Sequence, residues 1–377
     1  MKRRSHRKKG KRITIIVILI ILILIGVGLF FYFNKEKPKE EKKTKNKKEV
    51  KVEEKLKILD LDSDSRPYAV MINNISTVWG YQCGLQDAYL VYEIIVEGGY
   101  TRLMAVFKDK DLDRIGTVRS SRHYFLDYAL ENDAVYVHFG WSPQAEADMS
   151  KLGVNNINFM SYAGYTRDYS LGLATEHTAF TTTNDIKKGM DNYKYRKTSK
   201  EKPLLNYSVK EIDISTKEGA IPANSINVGY SNHKDTSFDY DAENKVYKRS
   251  QNNTPQIDYV TKNQYTVKNI ITYKVNNYTI SGDNKGRQTI DNIGSGEGYY
   301  ITNGYMVPIT WEKSSRSSKT IYKYTDGTEL KVNDGNTHIE IHPISEDLIV
   351  DWVVIEWFYK VLKIWYNDKV WGEKKIW

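Results

Sequence analysis

The sequence predicts a membrane-anchored protein in which an α/β N-terminal ectodomain precedes a smaller, β-rich antiparallel C-terminal domain. Three observations carry this expectation. An uncharged apolar run fills residues 13–33. Over residues 64–205, β-branched and aromatic runs alternate with helix-periodic stretches. From 240 to 345, closely spaced turn signals separate one β-rich run from the next. A length of 377 residues accommodates such a division and a core that needs neither disulfide nor metal. The single Cys83 excludes a disulfide framework within the chain and any cysteine-based zinc cluster.

The apolar run ITIIVILIILILIGVGLFFYF would span about 31 Å as a helix, enough for the hydrocarbon core of a bilayer. The eight Lys/Arg of residues 1–12 precede it, so the N-terminus is expected in the cytoplasm and the remainder outside. The run is longer than a signal-peptide core, no small-residue cleavage site follows it, and no cysteine lies near its end. Residues 34–63 read as a charged linker, with eleven Lys and six Glu among 34–57. Residues 1–12 contribute +8 and 34–57 contribute +5 of the net +9, so residues 58–377 carry −4. The basic total therefore gives no case for nucleic acid as a partner.

Within residues 64–205, YAVMI (68–72), AYLVYEIIV (88–96), RLMAVF (102–107) and AVYVHF (134–139) are strand-like. Gly98-Gly99 joins the second and third as a hairpin. Residues 120–132 read as a helix, with Phe125, Tyr128 and Ala129 on one face. Ser142-Pro143 opens another helix and Gly153 closes it. Residues 206–239 are a polar connection. The 240–345 segment then alternates β-rich runs with turns such as Asn303-Gly304, Asp326-Gly327 and Asp334-Gly335. In the tail, 346–377, Leu348, Trp352, Ile355, Tyr359, Leu362 and Tyr366 form a helical stripe. Five of the eight Trp lie in the last 26 residues, which suits an interfacial or self-docking amphipathic segment.

Several blocks, in order, resemble the YerB-like family, which carries paired DUF3048 N- and C-terminal domains. They are RPYAVMINN (66–74), GLQDAYLVYEIIVEGGYTRLMAVF (84–107), RIGTVRSSRHYFLDYALENDAVYVHFGWSPQA (114–145) and EHTAFTT (176–182). The second half adds VYKRS (246–250), GSGEGYYITNGYMVPITWEK (294–313) and DGTELKVNDGNTHIEIHP (326–343). The resemblance covers about 64–344 and implies a bacterial extracytoplasmic protein of the lipoprotein type. It implies no particular reaction. This chain differs in having an apolar anchor in place of a lipobox, Cys83 in place of Ser, and His338 in place of Trp.

Candidate chemistry centres on Arg102, Arg114, Arg119 and Arg122 with Ser120 and Ser121. Arg119 and the two serines lie at the expected start of the 120–132 helix, where free amides and the dipole would favour an anion. His177, inside EHTAF, is added from the family-like block. Arg102, Arg119, Arg122 and His177 are thus the expected ligand-binding residues for an anion. The competing reading pairs the arginines with Glu93, Glu97 or Asp127. His338, Glu340 and His342 share one strand face but read as a solvated edge, so no metal is expected. Cys83 and His138 read as buried core residues, and GSGEG (294–298) as a bend before a strand. The expected role is noncatalytic: binding an anionic wall component or an envelope partner at the membrane, without a cofactor. The alternative, from a resemblance of TRLMAVF, GTVRSSRHYF and YVHFGWSPQA to LytR-CpsA-Psr phosphotransferases, is glycopolymer transfer from a polyprenyl-pyrophosphate carrier. That family's Arg-Asp pair is Arg119-Ser120 here.

Overall fold

A computed structural model describes residues 55–199 and 201–355. The expected basic tail at 1–12, the membrane helix at 13–33, most of the linker and the tail from 356 onward lie outside the described residues. The strands that build the two principal sheets are, in chain order, β1 (Tyr68–Asn73), β2 (Leu90–Ile95), β3 (Thr101–Phe107), β4 (Val135–His138) and β5 (Asn156–Asn158). Then come β6 (Ser225–Ser231), β7 (Lys234–Asp241), β8 (Val246–Gln251), β9 (Asn269–Val275) and β10 (Gly294–Thr302). The last four are β11 (Tyr305–Lys313), β12 (Ile321–Tyr324), β13 (Thr337–Pro343) and β14 (Leu348–Val350). Among the described residues the α-helices are α1 (Phe125–Glu131), α2 (Pro143–Lys151) and α3 (Thr183–Asn192).

The first sheet runs β11-β10-β9-β13-β2-β3-β1-β4-β5, with β12 on β11 and Ile221–Pro222 completing that edge. It is mixed. β1, β4 and β5 are parallel, as are β2, β13 and β9, whereas β1–β3, β2–β3, β9–β10 and β10–β11 are antiparallel. The second sheet runs β8-β7-β6-β14. The fold is therefore mostly β with mixed sheets and few helices, which corrects the α/β expectation for the N-terminal half. The α/β character is confined to its parallel portion, where α2 forms the crossover between β4 and β5.

Strand β13 decides the architecture. It comes from the C-terminal half yet lies between β2 and β9, pairing Glu93 with Glu340 and Ile94 with Ile341 on one side and Ile271 with Ile339 on the other. Its sequence, THIEIHP, alternates polar and apolar residues and so imitates an edge strand with one wet face. All seven residues are buried. The polar face is covered by protein, because Tyr230 of β6 and Thr236 of β7 reach the Glu340 and Glu93 carboxylates. Strands β2 and β3 are buried on both faces between the two layers.

Local signals are mostly realised. Ser142 caps α2, its Oγ accepting from the Ala145 N–H at 3.2 Å, and Gly153 follows with φ +64°. The Gly98-Gly99 turn joins β2 to β3, and a Cβ on Gly99 would fall 2.7 Å from His233 Cε1, so the turn also admits the loop after β6. GSGEG is not a bend before the strand but the first half of β10. A Cβ on Gly298 would lie 2.7 Å from the Thr272 carbonyl of β9, hence glycine in mid-strand. The helical stripe proposed for the tail fails at its start. Leu348–Val350 pairs antiparallel with β6 and turns through Asp351-Trp352 into Val353–Val354. Leu348 and Ile355 are buried while Trp352 is 91 % exposed on the turn.

Candidate functional site

The four candidate residues meet at the carboxyl end of β1. Arg102 on β3 faces Asn73, the last residue of β1, in the antiparallel register. Arg119 is held against β1 by its backbone N–H, which donates to the Met71 carbonyl at 2.9 Å. His177 arrives from the Thr175–His177 turn, and its Nδ1 lies 3.0 Å from Asn73 Nδ2. Because the amide nitrogen donates there, the neutral imidazole carries its proton on Nε2, which has no partner among the described residues. Burial and the neighbouring Arg119 charge lower the His177 pKa, so this tautomer persists at neutral pH.

The helix-terminus argument for an anion is corrected. α1 begins at Phe125, five residues after Ser120, because the preceding chain is tied to the strand connections. The Ser121 N–H donates to the Gly140 carbonyl at 2.9 Å, and the Ser121 carbonyl accepts from the Ser142 N–H at 3.2 Å. Charge must come from side chains instead.

Two of the arginines answer to one carboxylate. Glu97 accepts from Arg122 Nε at 2.8 Å, closes a second bond with Arg122 Nη2, and lies 3.2 Å from Arg102 Nη2. Arg122 Nη1 also donates to the Ser121 carbonyl at 2.7 Å, and Arg102 Nη1 to that of Ser120. Burial alone would raise the Glu97 pKa, but the Arg122 hydrogen bonds and both guanidinium charges outweigh it and hold the carboxyl at about 2. Burial, followed by the Arg122 charge, brings Arg102 down to about 9, still protonated at neutral pH. Both guanidiniums are more than nine-tenths buried and serve as struts. Arg119 differs. It is half-buried, and among the described residues its side chain makes a single hydrogen bond, from Nη1 to the Glu176 carbonyl at 3.2 Å. Arg114, by contrast, is engaged with Asp168 at 2.7 Å and stacked on Phe180.

The other expected partners lie elsewhere. Glu93 binds Arg249 and Lys234, and Asp127 binds Arg316 at 2.7 Å. His338, Glu340 and His342 do project from one face of β13, but into the interior. Burial pushes both histidines down to about 3 and keeps them neutral. Glu340, beside ionised Glu93, is displaced upward by burial and by the Glu93 charge. Cys83 is fully buried and its thiol is pushed up to about 12, chiefly by burial, so it is no nucleophile. His138 is a core residue whose Nδ1 lies 2.8 Å from the Gly140 carbonyl.

Sequence reasoning missed Asn73, which orients His177, and the Arg249–Lys234–Glu93 cluster. Asn73 and Asn74 follow an apolar strand in RPYAVMINN, and paired amides at a strand end are a usable signal. Nothing local connects Glu93 to residues about 150 positions away.

Compared with known proteins, residues 56–196 match the family model described as the DUF3048 N-terminal domain and 226–339 the DUF3048 C-terminal domain, both of unknown function. The chain is 28 % identical over 284 residues to the putative lipoprotein YerB of Bacillus subtilis (strain 168), covering 74 % of this chain and 81 % of that protein. The crystal structure of YerB from Bacillus subtilis superposes with a TM-score of 0.65 at 26 % identity, covering 75 % of this chain and 93 % of the other.

Proposed function

Since the chain belongs to the family with paired DUF3048 N- and C-terminal domains, we propose that it is an extracytoplasmic cell-envelope protein that binds an anionic wall component through Arg119 and His177. The observation that carries this reading is the arrangement at the end of β1. Two guanidiniums hold one half-buried carboxylate, and a third, the less engaged Arg119, stands beside an imidazole whose Nε2–H has no partner among the described residues. Two convergent donors with an excess of positive charge suit a phosphodiester or a uronate. The side chains available are donors and cations, and Glu97 is engaged in ion pairs, which favours binding over group transfer.

Anionic ligand should raise the thermal stability of the purified protein. At 100-fold over its dissociation constant a polyglycerol-phosphate fragment adds about 2.7 kcal/mol. Arg119→Ala removes that shift while changing intrinsic stability by less than about 1 kcal/mol, since the side chain is half-exposed with one hydrogen bond. Absence of any shift with polyol phosphates, uronates and polyprenyl phosphates alike would reject the site.

Residues 13–33 are the proposed anchor, with the N-terminus cytoplasmic. Support comes from the length and apolarity of the run and from its basic flank. Protease added to wall-stripped intact cells should digest residues 58–377. Full protection there, with digestion only after lysis, would overturn the placement.

A further inference from the structure

Strands β9 and β10 pair from Asn269 and Thr302 as far as Tyr273 and Gly298, and there the pairing stops. β9 runs on to Val275, held by β13 and by the Ile344 N–H, which donates to the Val275 carbonyl at 3.0 Å. The start of β10, residues 294–297, is paired with β11 alone among the described residues. Between the separated strand ends lies a cleft of about 490 Å³, whose apolar lining is Val275, Ile293, Trp311, Ile344, Leu348 and Ile355.

Two features leave this surface incomplete. Gly294 and Gly296 put no side chain over the β10 edge, and a strand edge of that kind is ordinarily covered. Ile293 is 42 % and Ile344 60 % exposed, so branched apolar side chains stand at the mouth of the cleft. A third feature says what covers it. Ile355 is buried in the cleft wall and is the last described residue. The sequence continues for 22 residues beyond it, and their first apolar run, Trp357-Phe358-Tyr359, begins two positions on. An extended chain advances at most about 3.6 Å per residue, which confines that run to within roughly 14 Å of Ile355. The charges agree. Asp291 and Glu297 face a single Lys274 around the cleft, whereas Lys360 and Lys363 face a single Glu356 at the start of the tail.

We infer that this cleft is the docking site of the chain's own tail, residues 356–377, with the Trp357–Tyr359 run seated between β9 and β10. Aromatic side chains bury large apolar area there, and the tether supplies them at an effective concentration of roughly millimolar. A bilayer surface or a second molecule has to compete with that tether. The inference does not depend on the arginine site.

Amide hydrogen exchange of the full chain in lipid nanodiscs tests it. Replacing Trp357→Asp together with Tyr359→Asp should speed exchange over residues 294–298 by roughly tenfold or more. Ile344→Asp should speed exchange over 357–362 in the same way, because the two sides of one contact lose protection together. Ile344 is exposed, so an unchanged thermal midpoint in its variant reports that the fold is intact. Exchange over 294–298 that ignores the tail substitutions would overturn the assignment. So would tail protection that responds to removal of lipid and not to Ile344→Asp, which is the result for a membrane-bound tail. Protection of the cleft that fades on dilution would assign the contact to a second copy and overturn it too.

Discussion

Glu93→Gln should destabilise the fold by about 3–5 kcal/mol, the scale for removing one partner of a buried ion pair. Glu93 is fully buried on β2 and is bonded to Arg249 Nη2 and lies 3.2 Å from Lys234 Nζ. It also accepts from Thr101 Oγ1 at 2.6 Å, Asn74 Nδ2 at 3.0 Å and Thr236 Oγ1 at 3.0 Å. Arg249 and Lys234 belong to β8 and β7, so this one carboxylate joins the first sheet to the second. The substitution strands two cations that are themselves buried. Urea denaturation at pH 7 measures the effect, and a loss below about 1 kcal/mol would mean that the cations are satisfied without Glu93.

The pH dependence has two opposed limbs. Burial would raise the Glu93 pKa, but Lys234 and Arg249 overcome it and hold the group below its ordinary 4.5. Its contribution is therefore complete above pH 4.5 and lost as the pH falls below that value. Glu340, its register partner, is raised above 4.5 by burial and by the Glu93 charge. Its contribution is complete below 4.5 and lost as the pH rises through neutrality. Tyr230 donates to Glu340 at 2.7 Å, His338 Nδ1 lies 3.4 Å away, and the Arg249 and Lys234 charges also act on it. In denaturation series from pH 3 to 8, Glu93→Gln should flatten the acid limb and Glu340→Gln the neutral-to-alkaline limb.

Glu131→Gln is expected to cost a similar about 3–5 kcal/mol. Glu131 ends α1 and accepts from Lys313 Nζ at 2.8 Å, from the Thr320 N–H at 3.0 Å and Oγ1 at 2.7 Å, and from Tyr92 OH at 2.6 Å. Lys313 is 1 % exposed, so the substitution leaves a buried ammonium without its counter-charge, held by neutral acceptors such as the Ser318 carbonyl. A cycle with Lys313→Met separates the pair from its surroundings. The double variant should recover part of the loss, because a buried ion pair replaced on both sides is far less harmful than one broken. Equal losses in single and double variants would show that packing, and not charge, holds this contact.

Much of the local structure was legible. Strands β1, β2, β3 and β4, the Ser142-Pro143 helix start, the Gly98-Gly99 turn and the Asn303-Gly304 hairpin follow from residue type and period alone. The candidate site was legible in part. Arg102, Arg119, Arg122 and His177 do converge, and Glu97 is among the carboxylates expected to pair with them. The reason for expecting an anion there was misplaced, since it leaned on a helix start that lies at Phe125.

The sequence by itself determined the blocks of the family pattern, the anchor-like run and most strand positions, because hydrophobic period, turn chemistry and charge are local properties. Only the tertiary structure decided the placement of β13. Its alternating pattern is compatible with a wet edge or with a central strand under a polar layer, and the two differ in nothing local. Long-range pairing with β2 and β9, and the cover of Tyr230, Thr236 and Arg249, choose the second. That choice makes Glu93 and Glu340 neighbours and turns His338 and His342 into core residues.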